Sequence, residues 1–292
     1  MANAATKKIV VCGGNGFLGS RICKAATARG WDVTSISRSG EPTWSAVTSS
    51  STAPSWSSSV NWVSANILQP STYRQHLSSA DAVIHTMGIL LEADYKGVLT
   101  GKEPIYSGLA RAFSSSKLGT ANPLEKSNED SDLEPLHEGG QITYEVMNRD
   151  TALLLAREAQ KADVKNYLYI SAMGGAPILP GRYIKTKREA EKLLEENFPE
   201  MRSIFFRPGF LFDSSRAFTV PLAYATFPVA VINSALGGAF EGLLGAGVAK
   251  PLKADTVAAG VVEALADEGV RGPVEIKGIE ELANKTWRRG ML

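Results

Sequence analysis

The chain is 292 residues long, with 44% hydrophobic and 21% charged residues, which is the composition of an ordinary globular protein. Its 31 lysines and arginines are balanced by 30 aspartates and glutamates, so the formal net charge is only +1. This balance gives no overall attraction to nucleic acid or to an anionic membrane, and we predict no nucleic-acid partner.

The segment from Lys8 to Gly30 begins with an apolar run, continues through a glycine-rich turn and ends in a helical pattern. The run has the β-branched content of a buried parallel strand, and Gly30 is expected to end the helix. Glycines three residues apart allow a tight turn, a close approach of the backbone to a pyrophosphate, and helix amide groups that face the phosphates. The sequence therefore predicts a dinucleotide site formed by Gly13, Asn15, Gly16, Phe17, Leu18 and Gly19.

Strand-like runs recur along the chain, with helical patterns between several of them. They cover residues 8–12, 32–37, 60–64, 82–86, 166–171 and 203–207. This alternation predicts an α/β fold of the Rossmann type, a doubly wound parallel sheet with a small C-terminal substrate lobe. We assign residues 1–207 to a nucleotide-binding domain and residues 208–292 mainly to the lobe.

Two polar stretches interrupt this alternation. Residues 39–59 are rich in serine and contain two prolines and two tryptophans, so we expect a surface loop after the second strand. Residues 97–140 are polar and include an acidic cluster, so we expect an insertion after the fourth strand.

The segment of residues 217–240 carries no charged residue but is interrupted by two prolines and a glycine pair, which argue against a transmembrane helix. Two interpretations remain, a buried part of the C-terminal lobe or a surface that faces lipid or a lipid substrate. Residues 253–268 have the pattern of an amphipathic helix with Asp255 as its N-cap. Residues 274–277 predict a last short strand.

The cysteines and histidines indicate neither a disulfide nor a metal site. Cys12 and Cys23 lie on either side of the glycine turn, so a bond between them would have to span it, and we expect reduced core thiols. His76, His85 and His137 lack the spacing of metal ligands, and we predict no metal site.

The end of the second strand indicates which dinucleotide fits the turn. An NAD site has an acidic residue about twenty residues after the glycines, where it binds the ribose 2′-hydroxyl. This chain has Ser37 and Arg38 there, and a guanidinium suits a 2′-phosphate because its donors match the phosphate oxygens. We therefore predict NADP(H) as the cofactor, and the alternative is a solvated arginine on a loop.

Tyr183 and Lys187 are four residues apart and so share one face of a predicted helix. An ammonium near a phenol favours the tyrosinate and lowers the pKa of the phenol. Such a tyrosine can exchange a proton with a carbonyl or an alcohol. The alternative is a charged surface helix.

These patterns resemble the extended and atypical short-chain dehydrogenase/reductase family, in the spacing G-x-x-G-x-x-G, the pair Y-x-x-x-K and the step Arg207-Pro208-Gly209. The resemblance implies that Lys187 also holds the nicotinamide ribose. It implies that Ser171 hydrogen-bonds the substrate oxygen, with the register open by one or two positions, and that Asn148 supports the lysine. It also implies cofactor contacts at Asn66, Thr86, Gly88 and Pro208.

The strings GGNGFLGSRIC, SISRSG, YIKTK and RPGFLFD are similar to a branch of this family found in mitochondrial coenzyme Q biosynthesis and, more distantly, in respiratory complex I. The resemblance implies a peripheral protein on the matrix side of the inner membrane, although the N-terminal residues lack the pattern of a standard presequence. Its implied partners are coenzyme Q biosynthetic proteins and a polyprenylated quinone or lipid intermediate.

Three functions stay open, because a fold does not determine an activity. The first is an NADP-dependent reductase or dehydrogenase acting on a quinone-pathway lipid. The second is a nucleotide-binding assembly or stability factor with little or no catalysis. The third is a nucleotide-sugar epimerase-like enzyme.

Overall fold

The computed structural model describes residues 6–88, 143–174, 181–213 and 250–289 of the chain. The strands in these residues are β1 (Lys8–Cys12), β2 (Asp32–Ser37), β3 (Val60–Ser64), β4 (Ala82–His85), β5 (Asn166–Ile170), β6 (Arg202–Phe206), β7 (Leu211–Phe212), β8 (Leu252–Lys253) and β9 (Gly272–Val274). The helices are α1 (Phe17–Ala28), α2 (Trp44–Val47), α3 (Thr151–Lys161), α4 (Gly181–Asn197), α5 (Ala254–Ala266) and α6 (Ile276–Arg289). A π-helical segment, Glu145–Asp150, leads into α3, and 3₁₀ turns lie at Ser55–Ser59, Pro70–Thr72 and Arg74–Leu77.

Seven strands form one parallel sheet in the order β3-β2-β1-β4-β5-β6-β9, while β7 and β8 pair separately. The strand order reverses between β1 and β4, which are neighbours in the sheet. Ligands of open α/β sheets bind at such a reversal, beyond the carboxyl ends of the strands. The predicted Rossmann-like α/β fold is confirmed.

Both faces of the sheet are buried, as in other parallel sheets covered by helices. Leu168 and Ile204 pack in a core shared with α1, α5 and α6. Tyr167, Tyr169 and Phe205 alternate with them and pack in a second core with α3 and α4. The second core lies beneath the helices that carry the predicted proton-transfer residues.

Helix α1 ends at Ala28, just before Gly30, as the sequence predicts. Gly30 has a φ of +76°, which a residue with a side chain rarely adopts. Its N–H donates to Thr27 O at 2.9 Å, and the Trp31 N–H donates to Ala26 O at 3.1 Å. This glycine cap satisfies the last carbonyls of the helix and turns the chain into β2.

The described C-terminal residues differ in detail from the prediction. The last strand is Gly272–Val274 and not residues 274–277, because α6 already begins at Ile276. The N-cap of α5 is Lys253, so the prediction of Asp255 as the cap is wrong. Asp255 lies in the first turn, where a carboxylate is stabilised by the positive end of the helix.

These C-terminal elements complete the layers of the Rossmann sheet. Strand β9 pairs with β6, and residues of α5 and α6 join α1 in the first core. The division of the chain at residue 207 stays a prediction. The predicted insertion at 97–140 and the uncharged segment at 217–240 lie outside the described residues. Among the described helices, none combines the length and the apolar character needed to cross a membrane.

Residues 39–59 are mostly exposed, but the segment also contains helix α2, a 3₁₀ turn and tryptophans that pack at the edge of the sheet. Trp44 is 7% exposed, and its ring lies 5.5 Å from that of Trp56 and 5.9 Å from that of Trp62 in β3. Trp56 and Trp62 also pack against the first core. Burial of the tryptophan rings thus holds this polar segment against the sheet.

We expect Trp44→Ala to lower the free energy of unfolding by about 3 kcal/mol, because it removes a buried aromatic ring and leaves a cavity. Trp287 on α6 is 66% exposed, so Trp287→Ala is the matched control and should change stability by less than about 0.5 kcal/mol. Urea unfolding followed by far-UV circular dichroism measures both. Equal losses in the two variants would show that the tryptophan cluster does not stabilise the fold.

Candidate functional site

The glycine turn joins β1 to α1 and is fixed by backbone contacts. The Gly13 N–H donates to Ile36 O at 2.9 Å, and the Gly16 N–H donates to Gly13 O at 2.9 Å. Gly13 has a φ of +83°, and a Cβ on Gly19 would lie 2.1 Å from the Gly13 carbonyl oxygen. Helix α1 can therefore approach the turn only with glycine at position 19.

The turn fits a pyrophosphate. Helix α1 begins after Gly16 without a side-chain cap, and the N-terminal end of a helix attracts anions. Gly14, which the sequence reasoning missed, is also constrained, because its Cβ would lie 2.3 Å from Ser35 Oγ. Backbone donors, the positive end of the helix and the missing side chains together make room for phosphate oxygens.

Phe17 and Leu18 support the turn. Leu18 is buried in the first core, and Phe17 lies beneath the Arg21 guanidinium, 4.4 Å from it. Arg21 donates to Phe17 O at 2.7 Å and forms an ion pair with Asp213 at 2.5 Å. The start of α1 is thereby tied to the residue that follows β7.

The loop after β2 is held beside the glycine turn. Asn15 Nδ2 donates to Ser39 Oγ at 2.7 Å, and Ser37 Oγ donates to Gly40 O at 2.8 Å. Ser37 therefore shapes the loop, while the Arg38 side chain is exposed. An exposed guanidinium at this place fits the 2′-phosphate of NADP(H).

Asn66, the predicted adenine contact, lies in a turn just after β3. Its Oδ1 accepts the Leu68 N–H at 3.2 Å, and its own N–H donates to Thr72 Oγ1 at 3.0 Å. The amide oxygen can accept a second hydrogen bond, from an adenine amino group, while it keeps the one from the Leu68 N–H that stabilises the turn.

The end of β4 connects the glycine turn to the predicted proton-transfer residues. Thr86 Oγ1 donates to Cys12 O at 2.8 Å, beside the turn. Two residues later, a Cβ on Gly88 would lie 3.0 Å from Asn148 Oδ1 and 3.0 Å from Lys187 Nζ. The structure therefore brings Gly88, Asn148 and Lys187 together.

Lys187 is almost completely buried, with 3% of its surface exposed. Its Nζ donates to Ile170 O at 2.9 Å and lies 4.6 Å from the centre of the Tyr169 ring. Burial lowers the pKa of Lys187 to about 7, and the nearby Glu191 opposes this effect. At neutral pH this side chain is close to its charge transition.

Asn148 is fully buried in the π-helical segment, a type of helix that often occurs at functional sites. Its Nδ2 donates to Thr186 Oγ1 at 3.3 Å, and its backbone oxygen accepts from the Tyr169 hydroxyl. These contacts lock the segment onto α4 and β5, next to the lysine.

His85 lies in the same buried region, as a wall residue. Its Nε2 is 3.0 Å from Thr151 Oγ1, and that hydroxyl donates its proton to Met147 O at 3.0 Å. Burial and the charge of Lys187 lower the pKa of His85 to about 3. The neutral ring contributes packing and no proton at physiological pH.

Tyr183 does not have the lowered pKa that the sequence predicts. Burial raises the pKa of its phenol to about 12, and the cation that opposes this effect is Arg188. The ring packs edge-on against Tyr144, with the ring centres 6.0 Å apart. The predicted lowering of the Tyr183 pKa by Lys187 is therefore wrong, because the effect of burial dominates.

Ser171 is buried just beyond β5, and its hydroxyl contacts a residue that the sequence reasoning missed. Arg188 Nη1 donates to Ser171 Oγ at 3.1 Å and to Glu191 Oε1 at 2.7 Å, while Nη2 donates to Ala172 O at 2.9 Å. The proposed roles of Ser171, Tyr183, Lys187 and Asn148 stay predictions.

The Arg207-Pro208 step after β6 closes the side of the site near β5. Arg207 donates through two nitrogens to Glu191 and through Nη1 to Glu275 Oε1 at 2.8 Å. The Pro208 carbonyl accepts the Met173 N–H at 2.9 Å. The chain segments that leave β5 and β6 are therefore held together.

Comparisons with known proteins agree with this geometry. The model of the "NAD dependent epimerase/dehydratase family" matches residues 9–94. MIOREX complex component 2 of Saccharomyces cerevisiae is 39% identical over 223 residues, which cover 72% of this chain and 74% of that protein.

Two solved structures show the same fold. The Bordetella bronchiseptica enzyme WbmG in complex with NAD has a TM-score of 0.52 at 14% identity, covering 100% of this chain and 81% of that one. UDP-glucose 4-epimerase of Bifidobacterium longum, with NAD+ and UDP, has a TM-score of 0.51 at 15% identity, covering 92% and 77%. At such identities the likeness concerns the fold alone.

The burial of Lys187 predicts a pH dependence of stability. Its pKa is about 7 in the folded chain and has the ordinary value of 10.5 when unfolded, so between these values the unfolded state binds more protons. Stability must then rise with pH in that window. We expect the free energy of unfolding, relative to Lys187→Met, to increase by about 2 kcal/mol from pH 7 to pH 9.

Urea unfolding of both variants at the two pH values measures this difference. Lys185→Met is the matched control, because the Lys185 side chain on the same helix is 74% exposed. A parallel pH response of the natural chain and Lys187→Met would contradict a buried lysine.

Proposed function

Because the chain belongs to the NAD-dependent epimerase/dehydratase family, we propose that it binds NADP(H) and reduces a carbonyl or quinone group of a lipid in mitochondrial coenzyme Q biosynthesis. The observation that carries the proposal is the junction of Gly88, Asn148 and Lys187 beyond the glycine turn. The mitochondrial setting is supported by the resemblance of the motifs to that pathway's proteins and is compatible with the kinship to the yeast MIOREX component.

The cofactor would lie along the carboxyl ends of β1, β2 and β4. The glycine turn and the start of α1 would hold the pyrophosphate, and Arg38 would pair with the 2′-phosphate. Thr86, Gly88 and Lys187 would border the nicotinamide half, where Gly88 leaves room for a ribose. When bound, NADPH supplies a hydride.

The protein supplies the proton. Since the pKa of Tyr183 is about 12, its phenol is protonated at neutral pH and can donate to the oxygen of a carbonyl whose carbon receives the hydride. The tyrosinate left behind regains its proton from solvent. At neutral pH the populated form of Tyr183 is therefore the one that donates a proton, as carbonyl reduction requires.

A second candidate is a nucleotide-binding assembly factor with little catalysis. The raised pKa of Tyr183 favours this reading, because the phenol is not activated in the way that the family motif predicts. The yeast relative is, by its name, a component of a complex.

The cofactor assignment predicts that the protein binds NADPH more tightly than NADH. Arg38→Ala should weaken NADPH binding by about 1.5–3 kcal/mol, because it removes a charged hydrogen-bond donor, and should leave NADH binding unchanged. Isothermal titration calorimetry with both cofactors measures this. Arg288→Ala, at an exposed arginine on α6, is the control, and equal affinities of the unaltered protein for NADPH and NADH would refute the assignment.

The proton-donor assignment predicts that Tyr183→Phe lowers turnover by about 10²–10⁴-fold and leaves NADPH binding intact, since only the hydroxyl is lost. Oxidation of NADPH in the presence of a short-chain ubiquinone analogue measures turnover. Introducing the same variant into a deletion strain measures the function in the cell. Full recovery of quinone levels by Tyr183→Phe would favour the assembly factor over the reductase.

A further inference from the structure

Arg188 lies next to Lys187 in sequence and therefore points about 100° away from it around α4. Its side chain is 33% exposed. The guanidinium is fixed by Ser171 Oγ at 3.1 Å, Ala172 O at 2.9 Å and Glu191 Oε1 at 2.7 Å. It thus spans the segment after β5, where the family motif expects the group that binds the substrate oxygen.

The contact with Arg188 determines the role of the Ser171 hydroxyl. An arginine side chain has donors and no acceptor, so Ser171 Oγ must accept this hydrogen bond. The hydroxyl proton of Ser171 is then available for another acceptor. A positive charge on the accepting side also makes that proton a better donor.

The charge of Arg188 is only partly balanced by Glu191. Arg207 donates to both carboxylate oxygens of Glu191, whereas Arg188 donates to one. The other hydrogen bonds of Arg188 go to neutral oxygens, those of Ser171 and Ala172.

The remaining charged groups around Tyr183 contribute less. Arg182 and Glu145, which flank the Tyr144 and Tyr183 rings, form an ion pair at 2.7 Å, so their charges largely cancel. Lys187 sits in a pocket of carbonyl groups and the Tyr169 ring, and burial brings the pKa of this lysine to about 7. Arg188 is therefore the permanent cation of this cluster, held against Ser171, and its charge opposes the rise that burial causes in the pKa of Tyr183.

We propose that Arg188 is a positioning residue of this site, which turns the Ser171 hydroxyl toward the substrate oxygen and supplies the positive charge that stabilises an oxyanion beside Tyr183. The substrate class that benefits is a ketone or quinone, whose oxygen gains negative charge during reduction. This consequence for catalysis rests on the proposed reductase function. The electrostatic effect of Arg188 on Tyr183 does not depend on that function.

The electrostatic part is tested without turnover. Tyr183 is replaced by 3,5-difluorotyrosine, whose phenol ionises nearer to neutral pH, and its pKa is followed by ¹⁹F NMR with and without NADPH. We expect Arg188→Gln to raise this pKa by about one pH unit and Lys187→Gln to change it less. Lys185→Gln, at an exposed position on the same helix, is the control, and a larger rise in Lys187→Gln than in Arg188→Gln would overturn the proposal.

The positioning part is tested by kinetics with a short-chain quinone. Arg188→Gln and Ser171→Ala should each lower kcat by about tenfold or more with little change in KM, and the double variant should be no slower than the slower single variant. Additive losses would overturn the coupling of Arg188 to Ser171. Arg188→Lys keeps the charge, so it should restore the ¹⁹F pKa even if Arg188→Gln is too unstable to measure.

The experiments distinguish a failure of the proposed reductase function from a failure of the proposed role of Arg188. If the unaltered protein does not oxidise NADPH with any quinone, the reductase function fails, while the ¹⁹F titration still decides the role of Arg188. If turnover is present and the titration shows no effect of Arg188, the reductase function survives and the inference is rejected.

Discussion

The site depends on a contact between two backbone segments that leaves no room for a side chain. A Cβ on Gly19 would lie 2.1 Å from the Gly13 carbonyl, so the first turn of α1 rests directly on the end of β1. That contact orients the helix, which packs with α5 in the first core. It also leaves the uncapped helix start at the reversal of strand order, where Thr86 ties β4 to the same turn.

A second constraint is the cost of burying charge. A desolvated ammonium is unfavourable unless polar groups surround it. For Lys187, a carbonyl, an aromatic ring and the nearby Glu191 offset part of the cost of burial. The part that is not offset lowers the pKa of the lysine to about 7. Burial also raises the pKa of Tyr183, so it shifts the pKa values of the two residues in opposite directions.

The sequence predicts features that depend on neighbours along the chain. The six strand-like runs match β1 to β6 to within about one residue at each end, because a buried parallel strand is a short apolar run whatever surrounds it. Gly30 was also predictable, since a helix end is a local event. Burial of Trp44 was not, because the rings that cover it come from 12 and 18 residues away along the chain. Gly14 and Arg188 were missed for the same reason, since their partners Ser35 and Ser171 lie on other elements.

The wrong direction predicted for the Tyr183 pKa shows what spacing alone leaves out. Positions four residues apart put Tyr183 and Lys187 on one side of α4, but spacing says nothing about the dielectric in which they meet. Once Lys187 is buried deeply enough to lose its proton near neutral pH, it cannot serve as a dependable positive charge. A guanidinium, in contrast, is always charged in proteins. The next residue along α4 is such a group, and its contacts with Ser171 and Ala172 hold this cation against the segment that leaves β5.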